Sequence, residues 1–270
     1  MALVFHERVG QDQRRISPFS WRIRYAFAHK GLDPEIVPTR FADVDRIRGL
    51  SGQHYVPIIE HDGEVVHDSW SIACHLEDRF PDRPSLFGGD AGRGAARLVN
   101  IWSDSVLGGA MRRQIYSDFV WVIDPGDRAY FRYSREAMVG TTLEDYSADR
   151  DEYLSAFFEA CAPLERTLLE QPFLAGAAPA YLDYVVFSVF QWARVGSPRD
   201  VLADAASMNG VRAWRTRMVA LYDRLGDRFP LYPMQRIGPD GRAVSDEAAC
   251  STAPSLSVRG RVSHRDAKGS

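Results

Sequence analysis

The stretch "HYVPIIEHDGEVVHDSWSIACHLEDRF", residues 54–80, holds three local signals in a fixed order. Val56-Pro57-Ile58-Ile59-Glu60 is a short apolar run entered through a proline, which suits the opening of an edge strand. His61-Asp62-Gly63-Glu64 carries an Asp-Gly pair, the composition of a tight hairpin turn. Val65-Val66-His67 then returns as a second strand. Asp68-Ser69 offers an N-cap, and Trp70, Ile72, Ala73, Leu76 and Phe80 follow at the three- and four-residue spacing of one helix face. The segment reads as proline-led strand, hairpin, strand and capped helix. Each signal alone also fits a plain strand edge or a plain cap, so a site has to be argued from their combination.

Upstream, residues 2–6 (ALVFH) predict a first strand, and a polar loop ends at Arg14-Arg15-Ile16-Ser17. Phe19, Trp21, Ile23, Tyr25, Ala26 and Phe27 support a helix from Pro18 to about Lys30, with proline suited to its first turn and Gly31 to its stop. Glu35-Ile36-Val37-Pro38 predicts a second strand, and 41–50 a short irregular helix. The order is βαβαββα, so residues 1–80 fit one small mixed sheet with helices on its faces. Pro81, Pro84, Gly88, Gly89 and Gly92 mark a linker over 81–93. Residues 94–236 read as all-helical, with helix-like spacing over 95–116, about 127–140, 154–170, 181–194 and 211–225. There is no internal repeat. From 237 to 270 periodicity and aromatics stop, and a flexible tail is expected.

The 270 residues are 45% hydrophobic and 26% charged, an ordinary globular composition with room for one large or two modest cores. A net charge of -3 gives no electrostatic basis for nucleic acid or an anionic membrane as partner. The first residues, MALVFHERVGQDQRR, have too short an apolar patch for a signal peptide, and no later run has the length of a membrane span, so a cytoplasmic location is expected. Cys74, Cys161 and Cys250 lie far apart in no metal or CxxC spacing, which predicts reduced, buried or inert thiols. The seven histidines lack metal spacing; His61 and His67, flanking the hairpin, read as solvated, and no metal is expected. Lys30 and Lys268 are the only lysines among 33 basic residues, a bias that points to a GC-rich coding sequence before any arginine-specific chemistry.

A small βαβαββα domain joined by a proline-rich linker to an all-helical domain resembles the glutathione S-transferase superfamily over about residues 2–226. Three stretches bear the resemblance: Ser17-Pro18-Phe19-Ser20, Val56-Pro57 and Asp68-Ser69. It implies an α/β thioredoxin-like N-terminal domain plus an all-α C-terminal domain, with glutathione as co-substrate. It also implies a cis Val56–Pro57 bond, with the Val56 backbone pairing with the cysteinyl part of glutathione as an added strand would. Asp68 and Ser69 should then hold the γ-glutamyl end, the serine hydroxyl and helix-terminal amides suiting its carboxylate and the acidic side chain its ammonium. In thioredoxin-like relatives the first helix opens with a redox CxxC. Ser17-Pro18-Phe19-Ser20 keeps that spacing without sulfur, which excludes dithiol exchange by these residues and leaves glutathione's thiol as the nucleophile. A serine hydroxyl donating to that sulfur, aided by the helix N-terminus, favours the thiolate. Ser17 fits the family's catalytic serine, and Ser20, one turn on, is the second candidate; Ser17 also reads as a plain N-cap. There are two departures. Tyr55 stands where many members carry Lys or Gln, so one polar contact to glutathione is lost or replaced, and Ala180-Tyr181-Leu182-Asp183 keeps only the aspartate of the family's Ser/Thr-x-x-Asp capping box.

The strings "ISPFSWRIRYAFAHKGLDPEIVP", "VPIIEHDGEVVHDSWSIACHLEDRFPDRPSLF" and "YFRYSREAMVGTTLED" resemble bacterial glutathione-dependent β-etherases, which cleave aryl ethers of lignin dimers, and their fungal relatives. That likeness implies thiolate attack on a carbon beside a carbonyl, with loss of a phenolate. The acceptor pocket should lie against the helical domain. Trp102, Tyr116, Phe119 and Trp121, with Tyr130, Phe131 and Tyr133, form an aromatic-rich stretch suited to a hydrophobic aromatic small molecule, although two or three at most are expected to touch it. The same glutathione half also serves conjugation, dehalogenation, isomerisation or a non-catalytic binding protein. The family's usual homodimer is implied as well.

Overall fold

Four strands, β1 (Leu3–Arg8), β2 (Glu35–Thr39), β3 (Ile58–His61) and β4 (Glu64–His67), make one sheet in the order β2-β1-β3-β4. This is a computed structural model; it describes residues 2–203 and 205–232, and of the chain beyond them only the two-residue strands Arg236–Ile237 and Ala243–Val244. The first pair of strands is parallel, as a crossover through α1 (Pro18–Lys30) requires, and the others are antiparallel. Phe5 stands opposite Ile36 on one side and Ile59 on the other. Phe5 and Ile59 join Trp21, Ile23 and Phe27 of α1 and Ile72 and Leu76 of α3 (Ser69–Arg79) in the main core. A smaller cluster of Ile47, Val56 and Ile58 closes the sheet's other side under α2 (Val44–Ser51). The hairpin turns at Asp62 (φ 48°) and Gly63 (φ 88°), the positive-φ pair that an Asp-Gly sequence supplies.

The helical part starts earlier than spacing predicts. Gly89 serves as N-cap, so α4 runs Asp90–Trp102 with Asp90 at the positive end of its dipole. The single helix expected over 95–116 is two, α4 and α5 (Gly108–Phe119), joined by a π-helical turn at Ser103–Leu107. Next come α6 (Arg128–Val139), α7 (Leu143–Ala148), α8 (Leu154–Glu170), α9 (Tyr181–Gly196) and α10 (Asn209–Arg224). Apolar spacing does not predict the short α7; its signal is the Thr142 cap, whose hydroxyl accepts from the Asp145 N–H at 3.1 Å. The backbone of α10 leaves helical geometry at Leu221, where Tyr222 and Asp223 turn left-handed. Of the tail expected over 237–270, all but Ile237, Ala243 and Val244 lies outside the described residues.

Helix α9 is buried almost all round, and α1 packs along it. Ties between the two parts are polar as well as apolar. Tyr25 donates to the Met218 carbonyl at 3.0 Å, Tyr181 to the Ser69 carbonyl at 2.9 Å, and His29 Nδ1 shares a 2.6 Å bond with the Tyr184 hydroxyl. Lys30 is fully buried, with its ammonium 2.8 Å from Glu77 and 3.2 Å from the Phe80 and Pro84 carbonyls. One expectation needs correcting. His61 is not solvated: it is buried, stacked on Phe80, and its Nδ1 lies 2.9 Å from Nε2 of His75, while His67 is the exposed one. Its place on the inner side of β3, opposite α3, decides this. The thiol of Cys161 is buried and pushed up to about 12 by that burial, whereas Cys74 is half-buried. Among the described residues, no helix is long and apolar enough to cross a membrane.

The start of α9 hangs on Asp183. Ala180 has no side chain to cap with, but the wholly buried Asp183 carboxylate accepts from the N–H groups of Ala180 (3.1 Å), Leu174 (2.7 Å) and Ala175 (3.2 Å), and from Trp214 Nε1 (2.9 Å). Each buried donor left without an acceptor costs about 1–3 kcal/mol. Asp183→Ala is therefore expected to lower unfolding free energy by about 3 kcal/mol or more, and Asp183→Asn by less, in equilibrium urea titrations.

Candidate functional site

A cleft of about 860 Å³ opens between the sheet edge and the helical part, lined from both. Ser17 lies at its base as the N-cap of α1, in extended backbone, with its Oγ accepting from the Ser20 N–H at 3.2 Å. That bond occupies an oxygen lone pair and leaves the hydroxyl hydrogen able to donate elsewhere. Pro18 in the first turn removes one amide that would compete, and the remaining helix-end dipole is positive. Ser20 is placed differently. It is 1% exposed, it does not line the cleft, and its Oγ has no hydrogen-bond partner among the described residues.

Tyr55, Val56, Pro57, Asp68 and Ser69 line the same cleft. The Val56–Pro57 bond is cis, as the resemblance implies. Val56 precedes β3 rather than belonging to it, and among the described residues its backbone N–H and C=O make no hydrogen bond. A short peptide can therefore pair there as an added strand does. Asp68 (φ 72°) caps α3, its Oδ1 accepting from the amides of Trp70 (3.1 Å) and Ser71 (3.0 Å). Ser69 is the first residue of that helix, and its carbonyl is pinned by Tyr181 from α9. An N-terminus of this kind, next to a carboxylate, suits a zwitterionic amino-acid end. Tyr55 is 71% exposed on the rim.

The opposite wall comes from α5, α6 and α9. Tyr116, Phe119, Tyr130, Phe131 and Trp192 line it, with Phe41 reaching over from the loop before α2. Phe119 stacks on Phe131 at 5.8 Å, and Tyr116 meets Trp192 edge-on at 5.7 Å. Of the aromatic residues singled out in the sequence, Tyr116, Phe119, Tyr130 and Phe131 reach the cleft and Trp102 and Trp121 do not. Trp102 packs half-buried against the core, and Trp121 is 38% exposed under Arg128. Tyr133, at 75% exposure, also faces away from the cleft.

Several cleft residues are missed by the sequence reading. The π turn brings Ser103 and Asp104 to the lining, and Arg22, buried behind Phe19, reaches Asp104 at 2.5 Å and Ser188 Oγ at 3.1 Å, while Asn100 donates to the same carboxylate at 2.8 Å. This network ties α1, α9 and the α4–α5 junction together directly beneath the site. Arg8, Arg112 and Arg135 line the aromatic end. A usable signal existed for two of them. Arg112, Tyr116 and Phe119 recur at helical spacing on α5, and Phe131, Arg135 and Met138 on α6, so each arginine shares a face with a candidate aromatic. Among the described residues there is no group of three or more metal-ligating side chains.

Comparison with known proteins adds two matches to family models. Residues 16–79 match "Glutathione S-transferase, N-terminal domain" and residues 96–220 match "Glutathione S-transferase, C-terminal domain". A probable glutathione transferase of Aplysia californica is 33% identical over 78 residues, 28% of this chain and 84% of that protein. The chain spans about a third of the length of the carnation (Dianthus caryophyllus) glutathione S-transferase 1 that it also matches, which is 34% covered. Among solved structures, a glutathione S-transferase of Ceriporiopsis subvermispora in complex with glutathione superposes with a TM-score of 0.68 at 20% identity, covering 85% of this chain and 99% of that one. The beta-etherase LigF of Sphingobium sp. strain SYK-6 gives 0.59 at 21% identity, covering 82% and 96%.

The wall also depends on a glycine. A Cβ built on Gly196, at the end of α9, would stand 2.0 Å from the ring of the buried Phe119. Gly196→Ala is expected to push Phe119 into the cleft at a cost of about 1–3 kcal/mol. A crystal structure of the variant, with its urea midpoint, reads both effects; an unmoved Phe119 ring would contradict this account of the wall.

Proposed function

The chain belongs to the glutathione S-transferase family, and from that premise we propose that it transfers glutathione to an electrophilic aromatic acceptor, in the manner of a β-etherase. The observation that supports this best is the company Ser17 keeps. Its hydroxyl sits at a helix N-terminus in the same cleft as the unpaired backbone of Val56, the capped start of α3 at Asp68 and Ser69, and a facing aromatic wall. In this reading Val56 pairs with the cysteinyl backbone of glutathione, Ser69 and the α3 amides take its γ-glutamyl carboxylate, and Asp68 takes its ammonium. Tyr55 lies beside Val56 on the rim and supplies apolar cover in place of a basic contact.

Ser17 then donates its hydroxyl hydrogen to the glutathione sulfur. The Ser20 N–H, already bonded to Ser17 Oγ, holds the hydroxyl in place and leaves it as donor rather than acceptor. A donor and a positive helix end both lower the free energy of thiolate relative to thiol, so the thiol proton passes to solvent at lower pH. The Ser20 side chain, buried and outside the lining, takes no part. The aromatic wall of Tyr116, Phe119, Phe131 and Trp192 holds a flat acceptor over the sulfur. For a β-aryl ether ketone, sulfur forms a bond to the carbon beside the carbonyl, the bond from that carbon to the aryl oxygen breaks, and the phenolate leaves with the electron pair and is protonated by water. No redox partner is needed, and the chain's contribution is ionisation and alignment.

Phenol release from a β-aryl ether ketone, followed with and without glutathione, tests this. Ser17→Ala is expected to lower kcat/KM about 10- to 100-fold and to move the pH profile to the alkaline side, because the sulfur loses a hydrogen-bond donor; Ser20→Ala should change neither. Full activity in Ser17→Ala would remove Ser17 from the reaction. Turnover of other electrophiles without phenol release would keep the transferase and discard the etherase.

A further inference from the structure

We propose that the acceptor end of the cleft is built for an aromatic carboxylate, whose ring is held by Phe41, Tyr116 and Phe131 and whose anionic group is held by Arg8, Arg112 and Arg135. The inference rests on reading the cleft as the acceptor site of a transferase. Four arginines line this cleft, and against them stand only two carboxylates, Asp68 and Asp104. Asp104 is taken up by Arg22 at 2.5 Å, and Asp68 by the amides that it caps. The three remaining arginines form no ion pair among the described residues, in a protein where most buried guanidinium groups do.

They converge on neighbouring rings. Arg8 lies over Phe41 at 4.6 Å, and Arg135 over the same ring at 5.6 Å and over Phe131 at 5.3 Å. Arg112 lies over Tyr116 at 5.7 Å, and Tyr116 touches Phe131 edge-on at 6.4 Å. Their own hydrogen bonds are few. Arg8 donates to the Arg40 carbonyl, Arg135 to Ser134 Oγ at 3.2 Å, and Arg112 to the Tyr116 hydroxyl, while the Nε of Arg112 is shielded from solvent with no partner among the described residues. Burial pulls the Arg8 guanidinium down to about 10, and the charge of Arg135 adds to that while Asp43 and Asp127 oppose it. Each guanidinium has five N–H donors in a planar fork suited to a carboxylate. Like charges brought together in a partly desolvated cleft repel one another, and an anion placed among them relieves that repulsion while the rings take the flat part of the ligand.

The probes are 2-naphthoate and its neutral partner 2-naphthamide, titrated into the full chain with and without glutathione and read by calorimetry. The expected result is naphthoate bound about 10-fold more tightly than the amide, one charge-assisted contact's worth. Arg112→Gln and Arg135→Gln should each remove most of that preference, leaving naphthamide and glutathione affinities within about 2-fold, and Arg135→Lys should restore part of it. Equal affinity for acid and amide, no binding of naphthoate, or a preference that survives both variants would overturn the proposal. So would a variant that loses glutathione affinity instead, because the arginines would then serve glutathione's own carboxylate. Failure of the unaltered chain to bind glutathione would sink the transferase reading, and the acid-to-amide ratio measured without glutathione would still decide this one.

Discussion

The buried carboxylate of Asp183 accepts four hydrogen bonds, and through them it fixes where α9 begins and which way it points. Helix α9 in turn is the reference for both walls of the cleft. Its Tyr181 pins the carbonyl of Ser69, its Ser188 meets Arg22 of α1, and its Val189 and Trp192 line the aromatic end while Gly196 makes room for Phe119. A carboxylate is the one side chain that can take so many donors at once, which is why the aspartate of the box matters here even though the residue at its cap is alanine. The helix carries an almost wholly buried surface, so small errors at its start would be transmitted to every element packed on it.

The two halves of the cleft work by different physics. On the sheet side the cleft presents backbone and helix ends: the Val56 amide and carbonyl beside a cis proline, and the first turns of α1 and α3. Such groups have little freedom to move and little dependence on side-chain identity, so they suit a constant ligand. On the helical side the surface is made of rings and guanidinium groups set on α5 and α6, with Arg8 at the end of β1. Side chains there can be exchanged without disturbing the sheet, and that is the side on which a choice of acceptor would fall in the proposed function. The Arg22–Asp104 pair stands between the halves, where the π turn lets α4 and α5 present Asp104 to α1.

Much of the sheet side was legible in the sequence because its signals are local. Asp-Gly dictates a positive-φ turn, Ser17-Pro18 caps and opens α1, Gly31 closes it, and Asp68 caps α3, each acting on residues a few positions away. The helical side was legible only as periodicity. Spacing of three and four residues announced α5 and α6 but not which face met the cleft, so Trp102 and Trp121 were grouped with Tyr116 and Phe119 although the fold turns them elsewhere. The π turn interrupted a helix whose apolar pattern continues through it, and α7 was missed because six residues are too few to establish a period. The burial of His61 escapes the sequence for a related reason: it comes from His75 on α3 and from Phe80 just past that helix.

The sequence by itself determined the element order of the sheet part, its hairpin, the caps of α1 and α3 and the serine at the head of α1, since these depend on backbone preferences set by neighbouring residues. Only the tertiary structure decided that Ser17 faces the cleft while Ser20 does not, that Arg22 pairs with Asp104, and that Arg8, Arg112 and Arg135 gather around neighbouring rings. Those facts join positions far apart in the chain, and no local preference encodes a distance between residues that the fold alone brings together.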